Sequence, residues 1–263
     1  MPKFPGGYSA KSNLVDNDKF LIGDSQASDA IKSATKSAVE AALSGGTLAN
    51  TIYRTSSGTY SKPAKLKYII VELVGGGGGG GGTPTSVGTN LTAISGGGGG
   101  GGYAKKKILA SALAASESVT VGAGGTGGAA GATTGGAGNT SYFGSFVSAS
   151  GGSGGSQGAS GSSNGTMSPV AGGTGSGGDI NIPGGWSTAG RHGGGGTAQN
   201  ILAFSSGGNS QLGQGGSGSI NNSTVGTGLN YGGGGAGIQM TNGQNANAGW
   251  TGSQGIVIIH EYY

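Results

Sequence analysis

Short apolar runs along the chain predict β-strands. The longest, over residues 66–74, is rich in β-branched residues and predicts a strand buried on both faces. A second run over 256–263 ends the chain, and we expect these two strands to pair centrally. Residues 51–54 and 58–61, on either side of a Ser-Ser-Gly turn, predict a hairpin. Shorter apolar stretches predict further strands at 108–109, 118–121 and 141–148.

One stretch near the N-terminus has a helical pattern instead. Its apolar positions recur at three and four residues: Ile31, Ala34, Ala38, Val39, Ala42 and Leu43. With Ser28 as N-cap and glycines after residue 44, the pattern predicts a helix over about residues 25–44. Its apolar stripe is narrow, so the helix would either associate with other copies or dock on its own domain. We therefore divide the chain into an N-terminal segment, 1–54, and a distal domain, 55–263.

Glycine dominates the distal domain. The chain contains 68 glycines in 263 residues, and the densest runs lie at 75–82, 96–102, 193–196 and 232–235. A run of glycines directly after a buried strand is unusual for a flexible linker. It is better explained by polyglycine II helices, which have three residues per turn, bond only to neighbouring chains and can pack closely without side chains. The predicted fold class is mainly β with a glycine-rich polyglycine II lattice and a short N-terminal α-helical segment.

Composition excludes several classes of protein. There is no cysteine, which excludes a disulfide scaffold and Cys-ligated metal sites. Glycine does not recur at every third position with abundant proline, which excludes collagen. Apolar runs are too short to span a membrane, and the N-terminus has no apolar signal region, so synthesis in a cytosol is expected. The lysines at 105–107 form too short a cluster for a nucleic-acid partner to be expected.

Residues suited to catalysis are scarce. Asp179, Arg191 and Glu261 are the only charged residues from 118 onward, and the chain has two histidines, His192 and His260. No third metal-type ligand accompanies either histidine, and no nucleophile elbow is present. The glycine content makes a G-x-G-x-x-G match uninformative. We expect no enzymatic activity, no metal site and no cofactor.

The remaining chemistry lies in polar loops between the glycine runs. These loops combine a few aromatic residues with many Ser, Thr, Asn and Gln residues, a combination typical of recognition surfaces. The candidate binding residues are Trp186, Arg191, His192, Phe204, Tyr231 and Trp250. In the alternative interpretation, the aromatic side chains fill small cores at the edge of the lattice.

The order of motifs resembles a known family. Residues 55–82, TSSGTYSKPAKLKYIIVELVGGGGGGGG, resemble the opening of the glycine-rich domain at the distal ends of bacteriophage tail fibres. The later segments GGGGGGGYAKKKI (96–108) and GIVIIHEYY (255–263) fit the same domain. The architecture is also similar to the adhesin tips of T-even-like long tail fibres, in which a polyglycine II lattice presents receptor-binding loops. Residues 1–54, with their own segment before the glycine-rich domain, depart from that arrangement and look like the base of a short fibre.

The resemblance implies a non-enzymatic tail-fibre or fibre-tip protein in the virion. Its expected partners are a host receptor, either an outer-membrane protein or a surface polysaccharide, and phage tail or baseplate proteins. A homotrimer is expected, with residues 1–54 serving attachment or trimerisation. The alternative function, from a different class, is a structural or ice-binding glycine-rich protein without a receptor.

Overall fold

The computed structural model describes residues 19–22, 32–35, 46–88, 91–193, 200–221 and 226–263. Within these ranges the regular structure is entirely β. In chain order the strands are β1 (Lys19–Ile22), β2 (Lys32–Thr35), β3 (Leu48–Arg54), β4 (Gly58–Ser61), β5 (Tyr68–Val74), β6 (Thr92–Ile94), β7 (Tyr103–Leu109), β8 (Ser116–Thr120), β9 (Ser141–Phe143), β10 (Val147–Ala149), β11 (Ala159–Gly161), β12 (Gly165–Met167), β13 (Gly175–Ser176), β14 (Ile180–Ile182), β15 (Gly190–Gly193), β16 (Asn200–Ala203), β17 (Ser219–Ile220), β18 (Ile238–Met240) and β19 (Ile256–Tyr262).

The chain divides into two compact units, Met1–Thr47 and Leu48–Tyr263. In the first, β1 and β2 pair antiparallel. The helix expected over residues 25–44 is not found where the structure describes that stretch, because Lys32–Thr35 is a strand. The rest of the expected helix lies outside the described residues. Strand β3 belongs to the second unit, which therefore begins before the boundary expected at residue 54.

A five-stranded sheet forms the centre of the second unit. Its strand order is β14-β7-β5-β19-β3. The expected pairing of the two apolar runs is confirmed, because β5 and β19 lie antiparallel with Ile256 opposite Val74. One face of β5, with Ile69, Val71 and Leu73, is completely buried. On its other face Val74 is also buried, whereas the three residues before it on that face are half-buried. The prediction of burial on both faces is therefore correct for one face and for the end of the other.

A second sheet packs on the buried face. Its order is β13-β10-β9-β8-β4, and its side chains, including Tyr60, Phe143 and Val147, share one hydrophobic core with the first sheet. The hairpin expected from 51–54 and 58–61 is wrong. Strand β3 pairs with β19 in the first sheet, and β4 pairs with β8 in the second. The turn at residues 55–57 therefore carries the chain from one sheet of the sandwich to the other.

The glycine run at 75–82 continues β5 out of this sandwich. Each of its eight N–H groups donates a hydrogen bond to a carbonyl of another segment, at 2.8–3.0 Å. The acceptors recur every three residues: Gly75, Gly78 and Gly81 bond to one neighbouring segment, and the residues between them bond to two others. Three residues is the repeat of a polyglycine II helix. The lateral bonding expected from the sequence is therefore present.

Three glycine-rich tracts, 75–82, 96–102 and 232–237, bond to one another and form the interior of this region. Around them, successive hydrogen-bonded tracts close into a ring. Among the described residues the ring consists of nine tracts: 122–131, 133–139, 150–158, 171–174, 184–185, 205–209, 214–216, 226–229 and 247–255. Each interior tract has six neighbours, two from the interior and four from the ring, which is the coordination of hexagonally packed rods.

Close packing explains why the interior tracts contain almost only glycine. A Cβ atom at any residue from 75 to 82 would lie 1.9–2.2 Å from a backbone oxygen of a neighbouring tract. Ring tracts have one side facing solvent, so a side chain is accommodated at every third position. In the tract 122–131, Ala123, Thr126 and Ala129 are exposed, while Gly125 and Gly128 between them are buried.

The tracts alternate in direction, so this unit has two distinct ends. The direction follows from the bonding register: 122–131 and 150–158 run parallel to 75–82, whereas 133–139 and 247–253 run antiparallel to it. The sandwich forms one end. The opposite end, called here the loop end, consists of the residues that join outgoing to returning tracts: 83–88, 91–95, 132, 159–170, 186–193, 200–204, 217–221 and 238–246. Two small sheets, β11-β6-β18-β17 and β12-β15-β16, lie within these segments.

Candidate functional site

Five of the six predicted binding residues, all except Tyr231, belong to the segments at the loop end or to the tract positions beside them. Trp186 and Phe204 stand at the ends of the segment between two ring tracts, Arg191 and His192 lie on β15, and Trp250 lies within the last tract, close to that end. Tyr231 belongs to the sandwich end instead, where it packs against the cluster of Val74, Tyr103 and Ile256.

Trp186 is an exposed aromatic side chain on a well-anchored backbone. Its side chain is 66 % exposed. On one side of it, the Gly185 N–H donates to the Asn209 carbonyl at 2.6 Å. On the other side, the Ser187 N–H donates to the Val170 carbonyl at 3.1 Å, and the Ser187 hydroxyl accepts from the Val170 N–H at 2.9 Å. The backbone therefore holds the indole at the surface in a defined place, as an anchor residue requires.

Phe204 lies on the segment that is hydrogen-bonded to that of Trp186. The Thr188 N–H donates to the Ser206 carbonyl at 3.0 Å, and the Thr188 hydroxyl donates to the Phe204 carbonyl at 2.9 Å. The Phe204 side chain is 45 % exposed. Two exposed aromatic residues are thus carried by adjacent antiparallel segments, with the exposed Arg191 further along β15.

Three of the predicted binding residues, His192, Trp250 and Tyr231, are buried or half-buried. The His192 side chain is 4 % exposed, and its Nδ1 lies 2.6 Å from the Thr92 hydroxyl oxygen. Gly165 lies against its ring, since a Cβ there would be 2.1 Å from Nε2. Burial lowers the pKa of His192 below its ordinary value, because the imidazolium would lose its hydration. The alternation of the strand turns this side chain inward while Arg191 points outward.

Trp250 and Tyr231 follow the alternative interpretation, in which aromatic residues fill small cores. Trp250 is half-buried and packs against the cluster of Ala93, Ile238 and Met240. A Cβ at Gly226 would lie 2.5 Å from its indole ring, so the ring is covered closely. Tyr231 is likewise half-buried. The two residues close apolar clusters at opposite ends of the lattice.

The loop end also contains an exposed apolar residue that is absent from the predicted set. Val87, in the loop after the first glycine run, is 60 % exposed. Its loop is anchored by Ser86, whose hydroxyl donates to the Thr241 carbonyl at 2.6 Å and whose N–H donates to the Gln244 carbonyl at 2.9 Å. In the sequence, Val87 is marked only as a valine among small residues. This pattern indicates a binding residue less strongly than an aromatic side chain would.

Within the described ranges, no three His, Asp or Glu side chains are grouped so that they could hold a metal ion. The same ranges contain no helix that is long and apolar enough to cross a membrane. Besides aromatic, aliphatic, amide and hydroxyl groups, the loop end offers the exposed guanidinium of Arg191.

Comparison with known proteins identifies the larger unit. The model of the glycine-rich domain family matches residues 54–262. The match covers both sheets of the sandwich from β4 onward, the interior tracts and the ring. A search among curated proteins finds no match to the chain.

Proposed function

Because the chain belongs to the glycine-rich domain family, we propose that its larger unit is a rigid scaffold for recognition loops. In this proposal the tracts form a polyglycine II lattice, supported by the three-residue repeat of their lateral hydrogen bonds. The protein is a bacteriophage tail fibre or fibre tip, located in the virion, that binds a receptor on the host bacterial surface. It has no enzymatic role, and its partners are the receptor and the tail or baseplate proteins.

The observation that carries this proposal is the separation of the two ends of the larger unit. Strand β3, with which the unit begins, lies in the sandwich, and the chain returns there in β19. The connecting segments of the opposite end contain the exposed Trp186, Phe204 and Val87. A scaffold attached at one end and presenting irregular loops at the other has the organisation of an adhesin tip. Of the expected attachment segment, the residues before β3 would then supply attachment and trimerisation, and several copies would strengthen weak contacts through avidity.

The test is direct binding of fluorescently labelled full-length protein to a panel of intact bacteria. We expect saturable binding that is restricted to certain strains. The variants Trp186→Ala and Phe204→Ala should reduce that binding, and Tyr142→Ala serves as the matched control. Tyr142 is also an exposed aromatic residue, at 44 %, but it lies in the sandwich. Equal binding by the wild-type protein and both loop variants would contradict the assignment of the site.

A second candidate function is favoured by one observation. Ring tracts expose small side chains at every third position, as Ala123, Thr126 and Ala129 do, and such regular rows suit an ice-binding face. Thermal hysteresis of the dilute protein tests it. Hysteresis without binding to any bacterial strain would favour this alternative over the receptor-binding fibre.

A further inference from the structure

A groove of about 390 Å³ opens at the sandwich end, away from the recognition loops. Its lining combines apolar side chains with two phenol rings and an amide. The residues are Tyr53, Leu212, Asn230, Tyr231, Ile256 and Ile258. This volume falls within the range of small-molecule sites, which are mostly apolar with a few polar groups that fix orientation.

The floor of the groove is the outward face of the first sheet. Ile256 and Ile258 alternate along β19 with the buried Val257 and Ile259. Tyr53, directly opposite Ile258 on the edge strand β3, is 66 % exposed. Because its ring is so exposed, Tyr53 contributes little to the packing of the sheet, and its free ring face is available to a ligand.

Two loops between lattice tracts form the opposite wall. Ser210 joins them, since its hydroxyl donates to the Tyr231 carbonyl while its N–H donates to the Gly213 carbonyl at 2.8 Å. Asn230 adopts a φ of +56°, a left-handed conformation that is uncommon for residues other than glycine. The wall is thus built from hydrogen-bonded turns, and it places an amide and a phenol above an aliphatic floor.

Polar side chains on β3, β5, β7 and β19 border the floor. Glu72 lies opposite Ile258 on the neighbouring strand. It accepts from the Tyr103 hydroxyl at 2.7 Å and from Lys105 Nζ at 3.0 Å, and His260 Nε2 lies 3.5 Å from it. The Thr51 hydroxyl oxygen lies 3.1 Å from His260 Nδ1. The carboxylate of Glu72 therefore lies one strand away from the apolar floor, and the ammonium group of Lys105 reaches that carboxylate from β7.

We propose that this groove binds a saccharide, at a site separate from the loop end. A sugar ring presents C–H groups on its faces and hydroxyl groups around its edge. An exposed tyrosine ring and an aliphatic floor suit the faces, while amide, carboxylate and ammonium groups suit the hydroxyls. The groove offers both sets together: the exposed Tyr53 for stacking, Asn230 and the half-buried Tyr231 within the wall, and Glu72 with Lys105 along its border.

The experiment is a calorimetric titration of the full-length protein with a panel of soluble bacterial-surface oligosaccharides. Tyr53→Ala should weaken the binding of a responding oligosaccharide about tenfold or more, the loss expected for an aromatic anchor. Asn230→Gly removes the amide while tolerating the positive φ, and it should also weaken binding. Tyr142→Ala is the matched control, since it removes an equally simple exposed phenol outside the groove.

Three outcomes would overturn the proposal. The first is that the folded wild-type protein binds none of the oligosaccharides, and the second is that Tyr53→Ala leaves the affinities unchanged. The third is self-association, measured by light scattering, that Tyr53→Ala abolishes, because the groove would then be a contact between copies. Trp186→Ala should leave the titration unchanged. The saccharide site and the proposed receptor loops can therefore fail independently of each other.

Discussion

The Tyr60 hydroxyl donates a hydrogen bond of 3.0 Å to Oε1 of Glu261 and so joins the two sheets of the sandwich. The carboxylate is 3 % exposed, and its other oxygen accepts from Asn50 Nδ2 at 3.0 Å and from the Tyr263 hydroxyl at 3.4 Å. Burial, and next the hydrogen bond to Glu261, raise the pKa of Tyr60, so its hydroxyl remains a donor across the ordinary pH range. A buried carboxyl group thus has three neutral donors around it.

Tyr60→Phe should therefore destabilise the sandwich. The change removes one donor and leaves Glu261 Oε1 buried without its partner, which costs about 1–3 kcal/mol. The free energy of unfolding in urea measures the effect. Tyr142→Phe is the control, because the Tyr142 side chain is 44 % exposed and its hydroxyl is not buried in the sandwich. Equal stability of the two variants would show that water or another group replaces the lost hydrogen bond.

Gly79→Ala should prevent the interior tracts from packing at their observed spacing. A Cβ at Gly79 would lie 2.1 Å from the Thr126 carbonyl oxygen, and both belong to hydrogen-bonded backbone that cannot give way locally. We expect either no folded protein or a loss of more than about 3 kcal/mol in the free energy of unfolding.

Gly58→Ala is the matched control for the lattice substitution. No atom lies within 4 Å of a Cβ at Gly58, which is exposed at the start of β4. Its stability should stay within about 0.5 kcal/mol of the wild-type value. Urea denaturation followed by circular dichroism compares the two. A Gly79→Ala variant as stable as Gly58→Ala would contradict the close packing of the interior tracts.

The stability of the loop end should depend on pH through His192. Its folded pKa lies below the ordinary value of 6.5, because burial disfavours the imidazolium. Below pH 6.5 His192 is therefore protonated in the unfolded chain but stays neutral in the folded chain. The free energy of unfolding consequently decreases as the pH falls toward the folded pKa.

His192→Asn removes this titration and keeps an oxygen that can accept from Thr92. Thermal unfolding of the variant should show a smaller loss of stability between about pH 6.5 and 5 than the wild-type protein shows. Above about pH 7.5 both curves should be flat with respect to this group. Parallel curves for the two proteins over the whole range would contradict this, because they would mean that His192 has the same pKa in the folded and the unfolded chain.

The two tryptophans should respond differently to truncation. Trp250→Ala opens the cluster around Ile238 and Met240, so we expect a loss of about 1–3 kcal/mol in the free energy of unfolding. Trp186→Ala removes a ring that is 66 % exposed and should leave stability nearly unchanged. Differential scanning calorimetry of both variants tests this. Equal melting temperatures would mean that Trp250 is no more a core residue than Trp186.

Elements with a local signal could be predicted from the sequence. The run of β-branched residues in β5 and the apolar end of β19 each identify a strand, and their buried character led to the correct central pairing. The helix prediction is wrong at Lys32–Thr35, where the described chain pairs with β1 instead. The hairpin prediction failed because a turn between two strands does not reveal which sheet each strand joins.

The ring tracts carry a signal of their own in the sequence. Segments such as 122–131 repeat one side chain followed by two glycines, with Thr126 between glycine pairs. An interior tract such as 75–82 contains glycine alone. This repeat of one side chain and two glycines distinguishes a ring tract from an interior tract. Only a ring tract has a solvent-facing side, with room for a side chain at every third position.

The sequence by itself determined that backbone hydrogen bonds, rather than a large apolar core, hold most of this protein together. Glycine at this density removes the side chains that would otherwise keep neighbouring backbones apart. Only the tertiary structure decided which tracts lie inside, which end carries the loops, and why Trp186 is exposed while Trp250 and His192 are covered. The physical reason is that lateral bonding joins residues far apart in sequence, and identical glycine runs contain no information about their partners.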